Sequence, residues 1–435
     1  MIDQILPGFA SLDLGATKIF AAASETPVKN FGTFTADVHA LCAWLKEHKV
    51  HSVAMEATGV YWIPVHDILG AEGFNVMVFH GAHARNLPGR KSDVSDCQWH
   101  AMLYSHGLLK GCFVLEEPFR KLRSFYRLRE DHLGSAATHV LHMQRALDLM
   151  NVRLHHVLSQ LHGVSGLRVI DAILAGQRDP AVLAVLCDVQ VLKKKKAELI
   201  KSLEGDWQEH HLFALRQALE LYRIFQGKIA DCDAQIEKVL KTLNTQREPQ
   251  QAKPGQKMKI VRHNAPAITN LHGELLTLFG GRDATMLPGI SPLGWMKLAG
   301  EAGIDLAHFK DEHHFASWAA LSPQQHQSGR RRRRCYRGKT LIGQIFREAA
   351  MSLAKSKHLA LGGFYRRIKG RRGAGVAIVA TARKLAVLYY RAMTKGLEYV
   401  ERGLAQYEAD YRKQCERGLR KMAARMGFTV QPKTV

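Results

Sequence analysis

The 435-residue sequence predicts an α/β layer at the N-terminus, a long helical middle and a mainly helical C-terminal domain. Three observations carry this. Short apolar runs alternate with segments of helical periodicity over the first 110 residues. From Pro118 to Leu161, and again from Ala181 to Thr245, apolar residues recur every three to four positions. Between these and the C-terminal helices lies Arg247 to Lys259, rich in Gln, Pro and Lys, which reads as a linker.

The elements follow in order. Ser11 to Ser24 (SLDLGATKIFAAAS) reads as two apolar strands joined at Gly15-Ala16-Thr17-Lys18, a hairpin that begins a sheet. Val38 to His48 has helical spacing, and His51 to Ala57 is a compact apolar run closed by Thr58-Gly59, a buried strand. Val60 to Leu69 is helical, and Asn75 to Phe79 is another strand before a loop with Gly81, Pro88 and Gly89. Cys97 to Leu108 is again helical. The middle suits a helical arm or coiled-coil oligomerisation element, although it shows no clean heptad over three repeats. Its Gly163-to-Pro180 break separates two helical stretches, and helices resume from Leu341 after a segment holding Pro288-Gly289 and Ser328-Gly329. The boundaries predicted are an α/β domain at 8–115, a helical region at 116–246, a linker at 247–259, a C-terminal domain at 260–400 and a basic helical tail at 401–435.

With 46% hydrophobic and 23% charged residues the chain can bury a core, which excludes a wholly disordered or collagen-like protein. Lys and Arg number 62 against 39 Asp and Glu, a formal net charge of +23. Such an excess concentrates polyanions, so nucleic acid is the expected partner. A membrane is not, because no apolar run reaches about 18 residues and MIDQILPGFASLDLG lacks the pattern of a signal peptide. A cytosolic location follows as the expectation. Seven scattered cysteines without a C-x-x-C pair indicate neither a disulfide framework nor a structural zinc site.

Four carboxylates carry the chemical reading. Asp13 sits in the first apolar strand and Glu56 ends a later one, and a carboxylate in an apolar strand is costly unless paired or bound to metal. Asp93 and Asp96 stand three residues apart where Lys91-Ser92-Asp93-Val94-Ser95-Asp96 turns into helix, so both project from one face. Four such oxygen donors suit Mg²⁺ or Mn²⁺, and a pair of these ions about 3.5–4 Å apart drives phosphodiester displacement. The plainer alternatives are a helix N-cap for Asp93, and a salt bridge or strand-end exposure for Asp13 and Glu56.

Further along, Ser328-Gly329 precedes Arg330, Arg331, Arg332, Arg333 and Arg334, then Arg337 and Lys339, a density able to hold several phosphates. Read plainly it is a solvated basic loop, but its cations beside Ser328 leave a nucleophilic role open to that hydroxyl. Leu287-Pro288-Gly289-Ile290 with a helix after it has the form of half a helix-hairpin-helix, or of an ordinary interhelical turn. Histidines at 139–156 and 308–314 match no standard metal spacing.

Taken in order, L-D-L-G-x-x-K at Asp13, A-M-E-A-T-G at Glu56, K-S-D-V-S-D at Asp93 and Asp96, P-G-I at Pro288 and Q-S-G at Ser328 resemble the DEDD transposases of bacterial insertion sequences. This is the IS-one-ten family, and the long middle is similar to its IS-eleven-eleven branch. The resemblance spans about residues 10 to 395. It implies a RuvC-like, RNase H-like N-terminal domain with Asp13, Glu56, Asp93 and Asp96 as metal ligands, and a C-terminal transposase domain whose Ser328 attacks DNA. It also implies a structured noncoding bridge RNA pairing with donor and target DNA, a homo-oligomer (dimer or tetramer), and a place at the nucleoid in the bacterial cytoplasm. The run Arg330 to Arg334 is more basic than the family pattern. An alternative expectation is a metal-dependent nuclease or junction resolvase that uses the acids and water only.

Overall fold

The computed structural model describes residues 7–23, 26–81, 93–252, 264–323, 327–328, 331–332, 340–356 and 359–431, with backbone alone at 93–95, 327–328, 331–332, 397–405 and 407. The chain divides into two compact units, Met1–Val114 and Leu115–Val435.

In the first unit, five strands among the described residues form one mixed sheet. They are β1 (Phe9–Leu14), β2 (Ile19–Ala23), β3 (Lys29–Phe31), β4 (Ser52–Glu56) and β5 (Asn75–Phe79), in the spatial order β3-β2-β1-β4-β5. β1 runs antiparallel to β2, and parallel to β4, which is parallel to β5. The β1–β2 turn closes through Gly15 N–H donating to Lys18 O at 2.9 Å, at the Gly15-to-Lys18 position expected from sequence. Helices α1 (Thr35–Glu47) and α2 (Trp62–Ala71) cover one face, and α3 (Asp93–Ser105) packs on the other. Because both faces are covered, β1 and β4 read as near-continuous apolar runs rather than alternating ones.

The second unit begins with α4 (Glu117–Leu149), which pairs along its length with α9 (Glu209–Asn244). The pairing is antiparallel: Arg129 meets Asp233, and His139 stacks on Phe225 at 5.5 Å, so α9 descends as α4 ascends. Four helices, α5 (Leu154–Val157), α6 (Val164–Leu174), α7 (Pro180–Val185) and α8 (Val189–Ser202), share a core with this hairpin. Arg129 and Asp233 are 1% and 3% exposed, which makes their 2.5 Å ion pair part of the interior. The pair also fastens the chain that follows, since Arg129 donates to Asn264 O at 3.1 Å and Ala267 N–H donates to Asp233 at 2.9 Å.

After α10 (Leu271–Leu278), α11 (Pro292–Ala302) packs on α4. Glu301 of α11 is buried and accepts hydrogen bonds from Tyr126 and Arg127, while Arg123 donates to Gly300 O at 3.1 Å and Glu301 O at 2.8 Å. Then come α12 (Glu312–Trp318), α13 (Leu341–Ala354), α14 (Ala360–Arg372), α15 (Ala374–Lys395) and α16 (Leu397–Arg425). Phe315, Phe346 and Tyr389 form the aromatic centre of this part, with pairwise ring separations of 5.8–6.1 Å. No described helix is long and apolar enough to cross a membrane.

Candidate active site

Strand periodicity decides which way the acids of the first unit face. Along β1, Ala10, Leu12 and Leu14 join the core under α1 and α2, whereas Phe9 belongs to the core under α3. Alternation therefore puts Asp13 on the α3 face with Phe9 and Ser11. On β4, Val53 and Met55 join the α1–α2 core and Ala54 the α3 core, which puts Glu56 on the α3 face too. The β1–β4 register ends at Leu12 opposite Met55, so Asp13 and Glu56 follow one step further at the C-terminal ends of adjacent parallel strands.

From α3, Asp96, Cys97 and His100 meet this edge. The Cys97 thiol donates to Ser11 O at 3.2 Å and Phe20 O at 3.3 Å, which pins the helix to β1 and β2. Burial first, and the Asp13 charge second, push this thiol up to about 12, so it stays protonated beside the carboxylate. His100 packs edge-on against Phe79 at 4.9 Å. Burial lowers its basicity, while the charges of Glu56 and Asp96 work in the opposite direction, so both acids lie within electrostatic range of this imidazole. The structure thus brings Asp13, Glu56 and Asp96 to one sheet edge. Asp93 lies one turn before Asp96 on the same helix, and its side chain lies outside the described residues.

Two contributors to this edge were missed from sequence. His100, 6% exposed, follows Asp96 by one helical turn, and an i, i+4 search from the acids finds it. Gly81, just past β5, packs so closely on the Glu56 carboxyl that any Cβ there would overlap it.

The donor set fits a hard divalent cation in its chemistry, being built of carboxylate oxygens beside two neutral groups. Ser11 Oγ and His100 Nδ1 are buried there without a hydrogen-bond partner among the described residues. No three His, Cys, Asp or Glu side chains among the described residues are gathered closely enough to hold an ion.

In the second unit, Ser328 lies in a two-residue strand, β6 (Gln327–Ser328), antiparallel to β7 (Arg331–Arg332), with Ser328 opposite Arg331. Only the backbone of Ser328, Arg331 and Arg332 is described, and Arg330, Arg333, Arg334, Arg337 and Lys339 lie outside the described residues. The Pro288-Gly289 turn has a packing reason of its own. Gly289 has φ +82°, and a Cβ on it would lie 2.7 Å from Ala349 O of α13, so only glycine fits against that helix. Missed from sequence was a second basic run, Arg366, Arg367, Lys369, Arg371 and Arg372 on α14, with Phe364 and Tyr365 beside it.

Comparison with known proteins agrees with the two ends of the chain. Residues 12–152 match the model of the DEDD transposases of IS110, and residues 283–366 match that of the IS116/IS110/IS902 transposase family. No curated protein matches the chain. An acid-bearing α/β unit and a separate C-terminal transposase segment define the class, a DNA transposase of an insertion sequence. Within that class, the chain belongs to the IS110 transposase family.

Proposed function

We propose that this transposase cuts and rejoins DNA with a divalent metal bound at Asp13, Glu56, Asp93 and Asp96 and with Ser328 as nucleophile. The observation that carries the reading is that Asp13 and Glu56 stand at the C-terminal ends of adjacent parallel strands, on the face covered by α3, the helix that bears Asp93 and Asp96. A mixed sheet with acids at that edge supports a RuvC-like, RNase H-like domain, since sheets with parallel strands bind ligands beyond the carboxyl ends of those strands. Mg²⁺ or Mn²⁺, when bound, supplies Lewis-acid polarisation of the scissile phosphate.

The Ser328 hydroxyl loses its proton and bonds to phosphorus as the bond to the leaving deoxyribose oxygen breaks, and that oxygen takes up a proton. The phosphoserine link conserves the bond energy until a hydroxyl of the second strand attacks and releases the serine. Arg330 to Arg334, with Arg337 and Lys339, hold the backbone during exchange. Acids and serine belong to different units and stand more than 200 residues apart, which supports a homo-oligomer that assembles them. The net charge of +23 supports a second polyanion, a structured noncoding guide RNA whose base pairing reads donor and target. Its place of work is the nucleoid of the bacterial cytoplasm.

The test uses end-labelled donor and target DNA, with reactions stopped by denaturation. A protein–DNA adduct is expected with the unaltered protein and none with Ser328→Ala. Strand exchange by Ser328→Ala without any adduct means that water, not serine, is the nucleophile. Sequencing the RNA that copurifies with the protein tests guidance: one structured species is expected, and random fragments argue against it.

A further inference from the structure

The second unit carries an open groove of about 650 Å³ between α14 and α15. Phe364, Val379, Val387 and Leu388 give it an apolar floor, and Arg372, Arg383, Lys384 and Arg391 stand around it. Arg391 is held by Glu312 at 2.6 Å. The Lys384 ammonium lies 4.6 Å from the centre of the Phe364 ring and the Arg367 guanidinium 5.7 Å, so two cations flank one aromatic wall. None of the described residues lining the groove is acidic. The adjoining helix α14 carries five cations and no acid. Burial first, and the Arg367 charge second, lower the basicity of Lys384.

An occupant must satisfy both halves of this surface. A hydrated ion makes no use of the floor, and a duplex backbone presents no apolar group to it. An unpaired nucleotide does both, laying its base on apolar side chains and its phosphates on the cations. Among the described residues no hydroxyl, amide or carboxylate side chain lines the groove and His313 is the one side chain there able to accept from a 2′-hydroxyl, so the described lining gives ribose little to hold. We propose that the α14–α15 groove binds single-stranded DNA, seating an unpaired base on Val379, Val387 and Leu388 and the flanking phosphates on Arg372 and Arg383. The role rests on the reading above, in which strands are separated and exchanged, and the groove holds a strand while its bases are unpaired.

The experiment measures fluorescence anisotropy of the full-length protein with labelled oligo(dT) of about ten nucleotides, a fully abasic strand of equal length, and oligo(rU). The unaltered protein is expected to bind oligo(dT) at least about fivefold more tightly than the abasic strand. The double variant Arg372→Ala with Arg383→Ala is expected to bind oligo(dT) about tenfold more weakly, with an unchanged melting curve. Its slope of log affinity against log salt should be shallower by about 1.4, for two phosphate contacts to a single strand. Equal affinity for the abasic strand overturns the base seat, and does so on the unaltered protein even if the variant fails to fold. Tighter binding of oligo(rU) makes the occupant RNA, and loss of self-association in the double variant makes it a second copy; either overturns the proposal. Asp13→Asn separates the two readings: it should leave oligo(dT) affinity within about twofold while strand cleavage is lost. Retained cleavage in Asp13→Asn with intact groove binding sinks only the catalytic reading.

Discussion

Carboxylates in the two units stand in opposite surroundings. In the second unit Asp233 and Glu301 are buried against donors on facing elements, Arg129 for the first and Tyr126 with Arg127 for the second. Each acid is one half of a fastening between helices. In the first unit Asp13, Glu56 and Asp96 are half-buried at one sheet edge, and what α3 sets among them is a protonated thiol and an imidazole of lowered basicity. The groups that α3 adds to this edge are neutral, whereas those facing Asp233 and Glu301 include arginines. The difference teaches that a carboxylate buried between helices against arginine acts as a fastening, whereas one left half-buried at a strand end keeps an open side for a ligand.

The strongest break of this comparison comes from removing charge in each place. Asp13→Asn or Glu56→Gln should lower strand cleavage by about 10³-fold or more, with the protein still folded because each amide is close in shape to the acid it replaces. Chelation of divalent metal with EDTA should give the same loss, reversed by added Mg²⁺ or Mn²⁺. A cleavage rate within tenfold of the original after either substitution removes these acids from the chemistry.

Next in size is the opposite experiment in the second unit. Arg129→Ala leaves the Asp233 carboxylate buried without its cation and should cost about 3–5 kcal/mol of stability, read from denaturant unfolding. Cleavage per folded molecule should be unchanged. Arg129→Met combined with Asp233→Asn should recover part of the loss, since the amide oxygen can still accept from Ala267 N–H while no charge is stranded. A neutral outcome for Arg129→Ala alone means that the pair is solvated in solution.

Gly81→Ala should have a smaller effect than either, because it touches a site acid without removing it. The new methyl group overlaps the Glu56 carboxyl and forces it aside, and a displacement of about 1 Å in a reacting group costs on the order of a hundredfold in rate. A fall in cleavage of about ten- to a hundredfold with little change in melting temperature is expected. Unaltered cleavage would show that the carboxyl has room elsewhere.

Much of the first unit was legible in the sequence because its strands are covered on both faces and so stand out as apolar runs. Asp13 and Glu56 were visible for the same reason, as ionisable residues inside such runs. β3 was not, being a three-residue edge strand with two exposed positions and no periodicity to detect. His100 was invisible as well: a lone histidine on a helix acquires meaning only once α3 is laid on the sheet beside Glu56. Charge density drew attention to Arg330 to Arg334 and away from α14, whose cations are spread over the last two turns of a helix and gain a context only from the groove that α15 completes. Ser328 was named from the order of motifs, since one hydroxyl has no local signature in sequence.

The smallest effect concerns the Pro288-Gly289 turn, where sequence left open a phosphate grip or a plain connection. Ser291 caps α11 by accepting from Gly294 N–H at 3.1 Å, and Gly289 lies against Ala349 of α13. Ser291→Ala should therefore cost about 1 kcal/mol as a lost N-cap. Ser291→Asp keeps the cap and sets a negative charge at the helix N-terminus, which favours it there, so stability should stay within about 0.5 kcal/mol of the original. A turn shaped by packing on α13 leaves affinity for double-stranded DNA within about twofold in the Asp variant. A tenfold fall at unchanged stability instead means that phosphate approaches this helix end, and that the turn serves DNA as well as the fold.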